Sequence, residues 1–223
     1  MAGFVMLLLA SVVAGPLVAS AQRAATTGVG ISATHDYTPA DVEFVQGMIL
    51  HHAQAVVMSD WAPTHGASPT LLILCKRIGL SQRDEIAMMQ QWLEARGFTA
   101  ADPLHMLHSH APHVPVKFPQ DSGMAGMAGS MSMGHAMMPG MLTQAQLDQL
   151  DAAHGAEFDR LYLTGMIRHH QGALDMVAKL FDTPGSGQQP EVFSFATDVD
   201  AGQRVEMARM QAMLNTLNPS QTR

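Results

Sequence analysis

Cysteine is almost missing from this chain. Cys75 stands alone among 223 residues, so no internal disulfide and no Cys-x-x-Cys pair can form. It sits in the apolar run Leu71 to Cys75 and reads as a small buried residue. Aromatic residues are few as well: 8 Phe, 2 Trp and 2 Tyr, against 19 Met. Charge is sparse and mildly acidic, with a net value of -7 and no basic run, which argues against nucleic acid as a partner. No convincing period-two alternation occurs, which argues against strands. No phosphate loop and no Ser-His-Asp order is present. A di-iron bundle needs Glu-x-x-His on two helices, and no such pair occurs. The nearest match, Asp151-Ala152-Ala153-His154, is unrepeated.

Long apolar stretches are limited to the start of the chain. Residues 1–21 carry no charge, and the apolar run Phe4 to Ala14 leads to Ala19-Ser20-Ala21. This resembles a secretory signal peptide cleaved after Ala21, although the usual Lys/Arg start is missing. Ser11, Gly15 and Pro16 interrupt the run, and a membrane span needs about 20 apolar residues. The expectation is a protein of the periplasm or cell exterior, with no stable membrane insertion once the signal is cleaved. No cysteine follows the signal to carry a lipid. Residues 22–37 read as a flexible N-terminal segment.

What the sequence does have is a doubled His-His pair in a methionine frame. Met48, His51, His52, Ala55 and Met58 recur as Met166, His169, His170, Ala173 and Met176, with Gly47 matching Gly165. The offset is 118 residues at every matched position. A repeat of this kind implies two equivalent halves. At 100° per residue the five positions of each copy share an arc of about 120°. The small Ala55 and Ala173 leave room beside the imidazoles.

Four helical segments carry these residues. The first opens at Thr38-Pro39, a cap followed by proline, with Asp41 at the positive helix end, and runs to Trp61 before Pro63. The second opens at Ser68-Pro69 and ends at Arg96 before Gly97. The third opens on the capping-box pattern Thr143 to Gln146 and runs to Asp182, with a break expected at Gly155. The fourth runs from Pro190 to the residue before Asn218-Pro219. The second and fourth are also repeats. Gln82, Glu85, Met89 and Leu93 match Gln203, Glu206, Met210 and Leu214 at an offset of 121. Glu85, Met88, Met89 and Trp92 are expected on one inner face. The implied fold is all-α: a four-helix bundle of two repeated hairpins, residues 38–97 and 143–217, with a long connection over 98–142.

That connection is rich in Pro, Gly and Ser and cannot build a core, so it reads as flexible. It nevertheless holds His105, His108, His110, His113 and His135, together with Met124, Met127, Met131, Met133, Met137, Met138 and Met141. Packing cannot explain methionine there. The bland alternative is low-complexity drift. Thioether and imidazole select soft transition metals, Cu(I) above all, and remain usable where thiolates would oxidise.

The paired motifs resemble the family known as domain of unknown function 305. Its members are similar to Met-x-x-His-His-x-x-Ala-x-x-Met followed by a Gln-x-x-Glu-Ile-x-x-Met-x-x-Trp-Leu helix. The first half matches through Met48 to Met58 and Gln82 to Leu93. The second matches through Met166 to Met176 and Gln203 to Leu214, with Met213 in place of Trp. The resemblance implies a ferritin-like four-helix bundle. Some relatives, of the CopM type, are periplasmic copper-binding proteins linked to copper and silver tolerance.

The leading expectation is therefore a Cu(I)/Ag(I)-binding protein that buffers copper or hands it to a partner such as an exporter or oxidase. Bundle ligands would come from His51, His52, His169 and His170 with Met48, Met58, Met166 and Met176. Met89 and Met210 lie on the facing helices, where core packing is the competing reading. The linker Met and His would capture metal loosely. Two other readings stand beside this one: a metal-dependent redox enzyme that oxidises Cu(I), and a structural bundle whose Met only pack.

Overall fold

Local chemistry starts each helix. The computed structural model describes residues 36–100 and 138–217, in which five helices and no strand occur. The signal segment 1–21 and most of the 22–37 segment lie outside the described residues. So does the connection over residues 101–137.

Helix α1 spans Pro39–Trp61. Thr38 caps it, accepting from the Asp41 amide, while the Asp41 carboxylate accepts from the Thr38 amide at 2.7 Å. Helix α2 spans Pro69–Glu94. Its cap Ser68 makes no side-chain cap bond; instead the Ser68 amide donates to the Asp159 carboxylate, tying this helix start to the second hairpin.

A short helix α3, Gln144–Ala152, opens on the Thr143–Gln146 capping box. The chain then breaks at Gly155 (φ 58°), as expected from the sequence, and resumes as α4, Ala156–Asp182. Helix α5 spans Pro190–Leu217. Gln189 serves its start, accepting from the Val192 amide at 2.8 Å and from the Trp92 indole at 3.2 Å.

α1 packs along α2 and α4 along α5, and the two hairpins meet where α1 crosses α4. The bundle of two repeated hairpins is thus present, with α3 as a short addition. One apolar cluster gathers Met48, Met89, Trp92, Ala173, Val177 and Val199 with Met176 at its edge. The other gathers Ala55, Met58, Cys75, Tyr162, Met166 and Met210. Each cluster draws on both hairpins, so neither half buries its inner face alone.

His65 locks one end. Its Nδ1 lies 2.7 Å from the Trp61 carbonyl oxygen, at the end of α1. Its Nε2 lies 2.8 Å from the Asp151 carbonyl oxygen, at the end of α3. One ring thus spans two helix ends; a neutral imidazole donates to one of these carbonyls only, and the Trp61 carbonyl also accepts from the Thr64 and His65 amides. None of the described helices is long and apolar enough to cross a membrane.

Candidate metal centre

His51 and His52 sit mid-way along α1, and His169 and His170 mid-way along α4. All four are fully buried. The rings of His51 and His169, matched members of the repeat, lie 3.8 Å apart between centroids with planes inclined at 39°. His170 follows at 6.3 Å from His169.

Three of the rings have one nitrogen held. His52 Nε2 donates to the Glu85 carboxylate from α2, and His170 Nε2 donates to the Glu206 carboxylate from α5 at 2.8 Å. His51 Nε2 donates to the Pro139 carbonyl at 3.0 Å. Among the described residues the remaining nitrogens have no partner: Nδ1 of His51, His52 and His170, and both nitrogens of His169. A buried polar atom left unpaired costs about 1–3 kcal/mol, so this core carries a stability penalty that packing does not require.

Charge cannot relieve it. Burial first, then the neighbouring His52, pushes His51 down from 6.5 to about 3. Burial also holds His169 well below the ordinary imidazole value, reinforced by His51, His170 and His52; the His51 backbone, outside hydrogen-bond geometry, opposes this weakly. Burial alone would raise Glu85, but its hydrogen bond and charge interaction with His52 outweigh that and leave it lowered. Neutral imidazoles with free lone pairs beside thioethers are the donor set of a soft metal ion.

The methionines divide between the two clusters. Met48 and Met89 lie buried in the first, and Met58, Met166 and Met210 in the second. Met176 is half-buried. Among the described residues no three His, Cys, Asp or Glu side chains are arranged to hold a metal ion. Within the described residues the buried histidines share their helices with the thioethers of Met48, Met58 and Met166, and Met89 and Met210 lie in the same clusters as these.

Met88 departs from expectation. It is 55% exposed, and its matched Arg209 on the other hairpin is exposed as well. The buried arc of α2 runs through Leu71, Ile78, Gln82, Ile86, Met89 and Leu93, which leaves Met88 beyond its edge. Met89 and Met210 are buried in the two apolar clusters.

The last five residues of the connection, Met138 to Leu142, form a strap over the His-bearing helices. Gln54 holds it through a reciprocal pair, donating to the Leu142 carbonyl at 3.0 Å and accepting from the Leu142 amide at 2.7 Å. Gly172 lets it approach: a Cβ there would lie 1.9 Å from the Pro139 oxygen. A Cβ on Gly47 would meet Met176 Cε at 3.3 Å and Met138 Sδ at 3.5 Å, so two thioethers converge where the strap begins. The repeat mate Gly165 faces Met58 Cε at 3.6 Å and Leu142 in the same way. The expected linker ligands His105, His108, His110, His113, Met124, Met127, Met131, Met133, His135 and Met137 lie outside the described residues; Met138 and Met141 are inside.

Glu85 and Glu206, repeated at matched positions, hold His52 and His170 rather than joining the expected ligand set. Pro139 and Gln54 had no sequence signal at all.

A sequence model described as "Domain of unknown function (DUF305)" matches residues 41–216. No curated protein matches the chain. Among solved structures, a DUF305 fragment from Deinococcus radiodurans is similar at 29% identity and a TM-score of 0.61, covering 81% of this chain and 98% of its own. A DUF305 protein from Streptomyces coelicolor, described as secreted, gives 24% identity and a TM-score of 0.58, covering 82% and 95%. CopM in a Cu(II)-bound form gives 26% identity and a TM-score of 0.53, covering 79% and 96%.

Proposed function

Since this chain belongs to the DUF305 family, we propose that it is a copper-binding protein of the periplasm or cell exterior that buffers soft metal or hands it on. Cu(I) is the favoured ion and Ag(I) its mimic. The observation that carries this reading is the set of unpaired ring nitrogens on His51, His52, His169 and His170. An apolar core would be more stable with leucine at these positions, whereas a metal ion would use the lone pairs. The likeness to CopM, solved with Cu(II), supports copper as the class of cargo. The abundance of thioether favours the reduced ion.

In this reading His51 and His169 meet the metal at the helix crossing, and His52 and His170 flank it. Met48, Met58, Met166 and Met176 supply sulfur from either side, and Met89 and Met210 stay in packing. The linker histidines and methionines capture metal and exchange it. The protein carries and releases metal without turning over a substrate. Delivery to an exporter or an oxidase is the role that fits a protein with exchangeable exterior ligands.

Native mass spectrometry of residues 22–223 with Cu(I) under anaerobic conditions tests this, with and without residues 103–137. At least one ion should survive removal of the linker and be lost in the His51→Leu/His169→Leu double variant. A linker-free bundle that takes up no Cu(I) at equimolar metal would overturn the reading.

A further inference from the structure

A histidine can ligate through either ring nitrogen, and the hydrogen bond at one nitrogen decides which is offered. In the two halves of the bundle that choice is made in the same way. His52 donates its Nε2–H to the Glu85 carboxylate, and His170 donates its Nε2–H to the Glu206 carboxylate. His51 donates its Nε2–H to the Pro139 carbonyl. In each ring the atom left without a partner, in a fully buried side chain, is Nδ1.

The acceptors come from different places. Glu85 lies on α2 and Glu206 on α5, so each hairpin supplies its own carboxylate to its own histidine. Pro139 belongs to the strap, which Gln54 and Gly172 pin in place. Glu85 and Glu206 are repeat mates, whereas the Pro139 carbonyl comes from the unrepeated strap, so two independent origins leave the same ring atom free.

We infer that Glu85, Glu206 and the Pro139 carbonyl are positioning groups that lock His52, His170 and His51 in the Nε2–H tautomer, so that soft metal is met by Nδ1. This rests on the metal-binding reading above and names the atoms and supporting groups of that site. The two carboxylates do more than the carbonyl. An ionised acceptor on the far nitrogen raises the basicity of the near one, and loss of such a partner lowers metal affinity by about 10–100-fold. His169 has no acceptor on either nitrogen, so its tautomer is left to the metal.

The test is long-range 1H–15N correlation NMR on 15N-labelled protein, residues 22–223, first metal-free and then with 109Ag(I). In the metal-free protein, His51, His52 and His170 should each show the Nε2–H tautomer. With silver, 15N–109Ag coupling should appear on Nδ1 of His51, His52 and His170. Glu85→Ala should mix the tautomers of His52, weaken Ag(I) binding about 10–100-fold, and leave the His170 signals unchanged. Glu85→Gln keeps an acceptor oxygen and should restore both the tautomer and the Nδ1 coupling.

A metal-free spectrum with Nδ1–H on His52 or His170 overturns the inference, and needs no variant to be folded. Coupling through Nε2 overturns it while leaving metal binding intact. Correct tautomers in the metal-free protein, with no silver coupling to any bundle histidine, would instead sink the metal-binding reading and the Nδ1 assignment with it.

Discussion

The rings of His51 and His169, equivalent positions of the internal repeat, lie 3.8 Å apart between centroids and inclined at 39° where the two hairpins cross. Among the described residues His169 has no hydrogen-bond partner at either ring nitrogen. Function and stability are therefore opposed at this contact. The variant His169→Leu, close in volume and without polar atoms, should stabilise the metal-free protein by about 1–3 kcal/mol. The same change should remove bundle-bound Cu(I). Denaturant unfolding of the metal-free variant, paired with metal counting, checks both signs. A variant less stable than wild type would mean that the His169 nitrogens are satisfied in solution.

Acid should weaken the metal-free bundle. His51 is lowered to about 3 in the folded state against 6.5 for the free side chain, and His169 is shifted in the same direction. Between those limits the unfolded chain binds more protons, so stability rises with pH. Sign and window follow: full stability above pH 6.5, loss as pH falls toward 3. For His51 alone the total is on the order of 5 kcal/mol. Glu85, lowered chiefly through His52 against the opposing effect of burial, adds stability that is likewise lost in acid. Urea midpoints at pH 7, 5 and 4 should fall in that order. The slope should flatten in His51→Leu/His169→Leu.

Helix starts and the central break were legible in the sequence because they rest on neighbours within four residues. Thr38 with Pro39 and Asp41, Thr143 with Gln146, and Gly155 all act where the sequence places them. The inward arc of the His-His pairs was legible because it recurs in both halves. Met88 was misplaced because helical spacing gives angles relative to Glu85 but not the centre of the buried arc. The partners of the histidines follow a different logic. Pro139 reaches His51 across 88 residues of chain, and Gln54 reaches Leu142 across the same separation. No local pattern encodes such a closure. The empty nitrogens of His169 are legible only once every neighbour is known.

His65 offers a control away from the histidine centre. Its ring bridges the ends of α1 and α3, and its backbone carbonyl accepts from Gly155 at 2.8 Å. His65→Ala removes the ring and takes from the Asp151 carbonyl its contact with Nε2, while the Trp61 carbonyl keeps its backbone donors. The expected cost is about 1–3 kcal/mol of stability, with metal stoichiometry unchanged. Thermal unfolding together with native mass spectrometry separates the two quantities. Loss of bundle metal in a folded His65→Ala protein would show that the two ends of the bundle are coupled.

Gly172 gives the sharpest sign. Alanine in place of a mid-helix glycine ordinarily stabilises by about 0.5–1 kcal/mol. Here the added Cβ would lie 1.9 Å from the Pro139 oxygen and 2.3 Å from its carbonyl carbon, both rigid backbone atoms. The strap must lift, and lifting it separates Pro139 from His51 and strains the Gln54–Leu142 pair. Gly172→Ala should therefore destabilise the protein by about 2 kcal/mol, against the helix-propensity trend. The control Gly202→Ala, on α5 with nothing within 4 Å of the new Cβ, should follow that trend and stabilise. Freed of its acceptor, His51 should sample both tautomers in long-range 1H–15N spectra. A Gly172→Ala protein as stable as wild type, with the His51 tautomer unchanged, would mean that the strap does not hold the ring.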